Sequence, residues 1–182
     1  MRIFPIFIMF RLRSAQVNKR SLTILALSAF LLASCDVGGD QGPIKIGLIT
    51  PLTGEVASIG ADVLHGAQMM LEEINSAGGI NGRQIQLVAE DGRCTGADAA
   101  AAAQKLINVD RVVAIHGAGC SGESLAATPI AEAAQVVIVS PSSSSPDLTH
   151  ASDFFFRTYP SDDLKTTAMT RYFAEEELKK IA

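Results

Sequence analysis

Short apolar segments alternate with segments of helical periodicity along most of this chain, and this alternation constrains its fold more than any other feature. Strands that are apolar throughout are buried on both faces, which is typical of a parallel sheet covered by helices. The sequence therefore predicts an α/β fold in which a parallel sheet is flanked by helices. The predicted strands are residues 44–50, 84–90, 111–116, 136–140 and 154–158. The predicted helices lie between Asp62 and Gly78 and over residues 97–108, 121–135 and 161–180, the last with an amphipathic pattern.

Local signals predict where several of these elements begin, end or bend. Asp62 precedes the first apolar helical position and is predicted to cap its helix. Gly78 and Gly79 are predicted to end that helix, because glycine adopts positive φ without steric cost. Asn81-Gly82 predicts a tight turn into the next strand, and Pro129 predicts a kink in the third helix.

The first 34 residues predict an export signal. Basic residues precede an apolar run over 21–33, and small residues follow it just before Cys35. The run is short for a bilayer span, which makes a plain membrane anchor the weaker alternative. Leu32-Ala33-Ser34-Cys35 resembles the lipobox of bacterial lipoproteins, and this resemblance implies that Cys35 carries a lipid and begins the mature protein. We therefore predict a signal peptide over 1–34 and a flexible, glycine-rich tether over 35–43.

The predicted mature chain is acidic. It keeps ten basic and 19 acidic residues, for a formal net charge of −9. Such a surface repels phosphate backbones and anionic headgroups, so nucleic acid is not a predicted partner and the membrane is reached through the lipid alone. The protein is predicted to be exported and lipid-anchored, either in a periplasm or at the cell surface.

Two cysteines remain after Cys35 in the predicted mature chain, Cys94 and Cys120. Cysteine pairs of exported proteins meet an oxidising compartment, where disulfides form and persist. We therefore expect a disulfide between them. Two free, buried thiols are the alternative.

Three turns follow predicted strands at the edge of the sheet where ligands of parallel α/β proteins bind: residues 50–60, 117–122 and 140–146. Ser121 opens a helix, where a hydroxyl and unpaired N–H groups suit an anion such as a carboxylate. The serines at 142–145 face the same edge, although a solvated linker is an alternative interpretation. Convergent neutral donors and acceptors suit a zwitterionic ligand.

Catalytic and cofactor motifs are poorly matched. Residues 117–122 fit the dinucleotide fingerprint G-x-G-x-x-G, but the next predicted strand ends without the carboxylate that would bind a ribose. A serine nucleophile elbow needs glycine where Glu123 stands. No enzyme activity, cofactor or metal is predicted, and Asp162-Asp163 is interpreted as the solvated start of a helix. The histidines are isolated from one another: His65, His116 and His150.

Five segments together carry a family resemblance over nearly all of residues 44–182. In order they are IKIGLITPLTG, GADVLHGAQMMLEEINSAGGINGRQI, EDGRC, GAGCSG and VVIVSPSSSSPDLT. In this order they resemble the type I periplasmic binding proteins of ABC transporters, specifically the leucine/isoleucine/valine-binding family. The resemblance implies two lobes joined by a hinge, an amino acid or similar small solute held between them, and ABC permease subunits as partners.

The resemblance also implies roles for individual residues. Ser121 would bind the solute carboxylate through its hydroxyl and backbone N–H, and Ser142 and Ser144 would engage carboxylate and ammonium. Cys94 and Cys120 match the family disulfide, which would hold Ser121 in place. The residue at 59 departs from the family, since branched-chain amino-acid binders place an aromatic wall residue where this chain has Ile59.

By the same resemblance, residues 44–156 form an incomplete N-terminal lobe, and residues 157–182 contain a hinge crossing and the first helix of a second lobe. The chain is thus expected to be an N-terminal fragment of a solute-binding component of an ABC importer. A ligand-sensing receptor domain that signals to a membrane partner is the alternative function. An exported enzyme ranks third.

Overall fold

In a computed structural model, residues 42–177 and residue 180 are described, and they form one five-stranded parallel sheet with helices on both faces. The predicted α/β fold is confirmed. The strands are β1 (Ile44–Thr50), β2 (Ile85–Asp91), β3 (Ala114–Gly117), β4 (Val137–Ser140) and β5 (Phe155–Arg157), in the order β2-β1-β3-β4-β5. The helices are α1 (Ala57–Ser76), α2 (Gly96–Lys105), α3 (Ser121–Ala133) and α4 (Asp162–Glu175). A π-helical turn spans Leu106–Asp110, and a 3₁₀ turn spans Pro146–Leu148.

The main core lies between the sheet and the helices α2 and α3. Ile49, Ile115 and Ile138 occupy the face that these helices cover, and each is at most 1% exposed. Buried alanines such as Ala99 and Ala103 let α2 approach the sheet closely, which keeps the interior dense. The alanine-rich segment of the sequence is therefore a packing surface as well as a good helix former.

The strand order reverses direction between β1 and β3. The chain moves from β1 through α1 to β2 on one side, then crosses back through α2 to β3 on the other side. Because such crossovers are almost always right-handed, α1 lies on the opposite face from α2 and α3. The reversal opens a crevice at the carboxyl ends of the strands, where α/β proteins bind ligands.

The end of α1 follows the local signals. The helix ends at Ser76, and Gly78 and Gly79 have φ angles of 103° and 76°, so the predicted stop is confirmed. Asn81 and Gly82 also have positive φ, and the backbone of Ile80 and Arg83 pairs across them as predicted for a tight turn.

The start of α1 was predicted wrongly. The helix begins at Ala57, and Asp62 lies inside it rather than at its cap. Gly60 is buried, and a Cβ at that position would lie 1.8 Å from the carbonyl oxygen of Pro51. This close contact with the end of β1 fixes the first turn of the helix, which overrides the local capping signal.

Other boundaries differ by a few residues. The third strand begins at Ala114 rather than Arg111, because Arg111 adopts φ 60° and ends the π-helical turn. The last helix is α4, which buries none of its residues against the described chain, so its expected amphipathic packing is not seen. Pro129 lies inside α3, and its predicted kink stays a prediction.

The predicted signal peptide, the lipid-bearing Cys35 and most of the tether lie outside the described residues. Within residues 42–177 and 180, none of the helices has the length and apolar character needed to cross a membrane.

Two glycines of α1 provide a matched test of the Gly60 contact. We expect Gly60→Ala to destabilise the chain by about 3 kcal/mol, the upper end of the usual overpacking range, because the new methyl group meets the Pro51 carbonyl. We expect Gly66→Ala to stabilise it by up to about 1 kcal/mol, since nothing lies within 4 Å and alanine is the better helix former. Urea unfolding of both variants measures this, and shifts in the same direction would contradict the packing argument.

Candidate functional site

Two polar turns meet at the carboxyl edge of the sheet. Ser121 is the first residue of α3, directly after β3, and Ser142 to Ser145 follow the neighbouring strand β4. The Ser121 hydroxyl oxygen accepts hydrogen bonds from the backbone N–H groups of Ser144 at 3.1 Å and Ser145 at 3.2 Å. The structure therefore brings Ser121, Ser142 and Ser144 to one edge, on two adjacent turns.

The partners of Ser121 determine the direction of its hydrogen bonds. Both partners are N–H groups, which only donate, so the oxygen accepts and its O–H remains available to another acceptor. The first N–H groups of a helix have no acceptor within the helix, and the helix dipole favours negative charge there. Ser121 thus presents a donor at a position suited to an anion.

Ser142 and Ser144 have the opposite polarity. The Ser142 hydroxyl donates to the carbonyl oxygen of Gly119 at 2.6 Å, and the Ser144 hydroxyl donates to the Asp162 carboxylate at 2.9 Å. A carbonyl oxygen and an ionised carboxylate accept hydrogen bonds and cannot donate them. Each serine hydroxyl therefore uses its proton in these bonds, and its oxygen keeps lone pairs to present. One donor and two acceptors therefore lie at the same edge of the sheet.

Asp162 is the site residue that sequence reasoning missed. It is the first residue of α4, where we interpreted it as solvated, but its N–H donates to the Ser144 carbonyl at 2.9 Å and its carboxylate accepts the Ser144 hydroxyl. Lys165 lies 2.5 Å from the carboxylate. Hydrogen bonds from Lys165 and then Ser144 hold the pKa of Asp162 below its ordinary value. Its place just after β5, at the same edge as the serines, was the available signal.

Ser143 is a buried support of the serine turn and has no exposed surface. Its hydroxyl lies 3.2 Å from the carbonyl oxygen of Ala118 and 2.8 Å from the Ser124 hydroxyl. Ser140 donates to the same Ala118 carbonyl at 2.8 Å. Buried hydroxyls satisfied in this way fix a loop to its neighbour. The interpretation of Ser142 to Ser145 as a solvated linker is therefore wrong.

The two cysteines join the turns after β2 and β3. Cys94 and Cys120 form a disulfide with their Cα atoms 5.4 Å apart, which confirms the predicted pairing over two free thiols. Beside it, the fully buried Glu123 accepts N–H groups from Cys94 at 2.9 Å and Cys120 at 2.8 Å. Burial raises the pKa of Glu123, although hydrogen bonds from the backbone of Cys120, Cys94 and Gly119 oppose the shift.

Ile59 lies near the start of α1 with 56% of its surface exposed. The preceding turn is held by Asp91 at the end of β2, whose carboxylate accepts the Leu52 N–H at 2.8 Å and the Thr53 hydroxyl at 2.5 Å. Partial burial acts to raise the pKa of the Asp91 carboxyl, but these hydrogen bonds outweigh burial and lower the pKa below its ordinary value. The turn therefore presents an exposed apolar side chain on a fixed backbone.

His116 does not join the serines. It lines an apolar groove of about 490 Å³ with α1 residues such as Val63 and Met70, and burial lowers its pKa against an opposing hydrogen bond with the Val139 backbone. The partners of the Ser121 oxygen are instead the two amides described above.

Within residues 42–177 and 180, no three His, Cys, Asp or Glu side chains group as a metal site. The arrangement is suited to binding a polar solute.

Comparison with known proteins relates most of this chain to one family. The family described as periplasmic binding protein matches residues 43–182. The leucine-, isoleucine-, valine-, threonine- and alanine-binding protein of Pseudomonas aeruginosa is 35% identical over 164 residues, which cover 90% of this chain and 43% of that relative. The chain thus spans less than half the length of this relative.

Two solved structures with named ligands are also similar. The branched-chain amino acid transporter substrate-binding protein LivJ of Streptococcus pneumoniae, in complex with isoleucine, has a TM-score of 0.64 and 37% identity, covering 66% of this chain and 34% of that chain. A solute-binding protein of an ABC transporter from Rhodopseudomonas palustris, in complex with 3,4-dihydroxybenzoic acid, has a TM-score of 0.69 and 26% identity. The match covers 75% of this chain and 37% of that chain. The relatives named here are solute-binding proteins.

We expect the wild-type chain to become more stable relative to Glu123→Gln as the pH falls, where stability is the free energy of unfolding. Because burial raises the folded-state pKa of Glu123 above its ordinary value of 4.5, protonation stabilises the folded state relative to the unfolded state. This stabilisation by protonation is absent when the pH is well above the pKa of Glu123 in the folded state. It is fully present when the pH is below the pKa of Glu123 in the unfolded state. Urea unfolding of both proteins at about pH 8 and about pH 4 measures it.

Glu132→Gln is the matched control for that comparison, since Glu132 lies on the same helix but is exposed. A wild-type advantage over Glu123→Gln that shrinks on acidification would contradict the expectation. It would mean that the backbone hydrogen bonds outweigh burial.

Proposed function

The chain belongs to the periplasmic binding protein family, and we propose that its serine site forms one wall of a cleft that binds an amino acid for an ABC importer. The hydrogen-bond polarity of three hydroxyls carries this proposal. Ser121 has an O–H available to donate, whereas Ser142 and Ser144 present oxygen lone pairs. A zwitterion needs this combination, with donors for its carboxylate and acceptors for its ammonium group.

The carboxylate of the solute binds at the start of α3 in this proposal. The Ser121 O–H and the unpaired first-turn N–H groups are the donors, and the helix dipole adds favourable electrostatics. The named ligands of the two structural relatives support this assignment, because isoleucine and 3,4-dihydroxybenzoic acid share a carboxylate.

The ammonium group and the side chain of the solute use the adjoining surfaces. The oxygens of Ser142 and Ser144 accept from the ammonium, and the ionised Asp162 adds negative charge beside Ser144. Ile59 offers an exposed apolar surface for the solute side chain. An aliphatic residue at this position leaves more room than the aromatic wall of the branched-chain amino-acid binders, so the cleft accepts side chains larger than that of isoleucine as well as isoleucine itself.

The sequence-based assignments complete the proposal. Residues 1–34 direct export, Cys35 carries the lipid, and residues 35–43 tether an extracytoplasmic lobe over 44–156 to a membrane that holds the permease partner. Residues 157–182 cross the hinge and open the second lobe. The chain needs no catalysis for this role, because closure of two lobes around the solute shifts a conformational equilibrium that the permease detects.

Amide chemical shifts test the binding wall directly. We expect titration of the ¹⁵N-labelled chain with L-isoleucine to shift the amides of Ser121, Gly122 and Ser144. Ser121→Ala should weaken this response roughly tenfold or more, because a hydrogen bond to a charged group is lost. Ser76→Ala is the matched control, since its hydroxyl bonds to the Glu73 carbonyl at the far end of α1.

A deaminated analogue, 3-methylpentanoate, separates an amino-acid site from a general carboxylate site. Weaker binding of the analogue supports the ammonium contacts, and equal binding refutes them. Shifts that avoid Ser121 and Ser144 altogether would refute the proposed wall.

We also expect this chain alone to bind its solute with a dissociation constant well above 1 μM. A micromolar constant corresponds to about −8.2 kcal/mol, and one wall of a cleft should not supply it. Isothermal titration calorimetry with a panel of amino acids measures the constant. Micromolar binding would show that residues of this chain enclose the solute by themselves.

A further inference from the structure

Glu123 makes none of the proposed solute contacts, yet its side chain is fully buried. A buried carboxylate is costly unless polar partners replace its lost hydration. Within residues 42–177 and 180, Glu123 forms no ion pair. The replacement comes from backbone N–H groups, those of Cys94 at 2.9 Å, Cys120 at 2.8 Å and Gly119. The carboxylate therefore fixes the backbone around it.

We propose that Glu123 is a positioning residue that holds Ser121 in place independently of the disulfide. One carboxylate oxygen accepts from Cys94 and the other from Cys120, so the side chain joins the same two chain positions that the disulfide joins. Reduction of the disulfide then leaves the turn before Ser121 in its native geometry. We name Glu123 and its three N–H donors the clamp. The clamp by itself keeps the turn before Ser121 in this geometry.

The clamp reaches both serine turns. Gly119 donates its N–H to Glu123 and accepts the Ser142 hydroxyl at its carbonyl oxygen, at 2.6 Å. Cys120 donates to Glu123 and is followed directly by Ser121. One carboxylate thus orients the peptide units that position Ser121 and Ser142. The consequence for solute binding rests on the proposed function, whereas the clamp itself does not.

The space for the carboxylate is provided by Gly92. A Cβ at residue 92 would lie 2.1 Å from the Glu123 Oε1 atom. Any larger residue there would displace the carboxylate that accepts the Cys94 N–H. Gly92→Ala therefore disturbs the clamp while leaving Glu123 and both cysteines unchanged, which provides a second variant.

Amide hydrogen exchange without ligand tests the clamp. Exchange of the Cys94, Gly119 and Cys120 amides is measured in the oxidised and dithiothreitol-reduced wild-type chain and in reduced Glu123→Gln. We expect reduction to change the wild-type rates by less than about threefold, and reduced Glu123→Gln to exchange roughly ten- to a hundredfold faster, as for a lost hydrogen bond to a charged acceptor. Reduced Gly92→Ala should behave like Glu123→Gln. The matched control is reduced Glu132→Gln, whose exposed side chain lies on the same helix.

Fast exchange of these amides in the reduced wild type would overturn the proposal, because the disulfide would then be the element that holds the turn. Equal protection in the reduced wild type and reduced Glu123→Gln would also overturn it. If the reduced variants do not fold, the wild-type comparison still decides, since retained protection after reduction supports the clamp and lost protection refutes it.

A binding measurement separates this inference from the proposed function. L-isoleucine should shift the Ser121 amide in oxidised and reduced wild type alike, and the response should disappear in reduced Glu123→Gln. No response from the oxidised wild type would refute the proposed function, while the exchange result would still decide the clamp.

Discussion

The reversal of strand order between β1 and β3 is the constraint on which the arrangement of polar groups depends. Parallel strands need crossover connections, and right-handed crossovers in opposite directions place α1 on one face and α2 and α3 on the other. The two helix layers diverge above the carboxyl ends of these strands. The edge that they leave open receives the turns after all five strands, so residues far apart in sequence meet there.

The chemistry at that edge follows from which atoms are left unpaired after folding. The serine hydroxyls are chemically equivalent in the unfolded chain, but their partners differ in the folded one. Two amides make Ser121 a donor, whereas a carbonyl and a carboxylate make Ser142 and Ser144 acceptors. The Ser143 hydroxyl is hydrogen-bonded within the protein, to Ser124 and to the Ala118 carbonyl. The binding preference that we propose is thus a product of hydrogen-bond partners rather than of residue type.

The turn before Ser121 combines a covalent link with a buried charge. The disulfide restricts the unfolded chain, and Glu123 accepts the N–H group of Cys120, directly before α3, and that of Cys94 in the turn after β2. Burial makes the charged form of Glu123 costly, which is the reason for its raised pKa. A binding wall with fixed donors loses less conformational entropy when a solute arrives, because the donors are already ordered.

The sequence by itself determined the α/β class, the end of α1 before Gly78, the tight turn at Asn81, the cysteine pairing and the edge at which Ser121 lies. These features depend on local backbone preferences, on hydrophobic periodicity and on the number of cysteines, all of which can be read from the chain directly. Tertiary structure decided the rest. Gly60 set the start of α1 through a contact with Pro51.

Asp162 entered the site through a partner 18 residues away, and the Ser142 hydroxyl took its polarity from Gly119, 23 residues away. The burial of Glu123 likewise became visible only when the turns after β2 and β3 were brought together. Local patterns carry no information on such partners, because the energy of a buried hydrogen bond depends on which distant groups the packed sheet brings within about 3 Å.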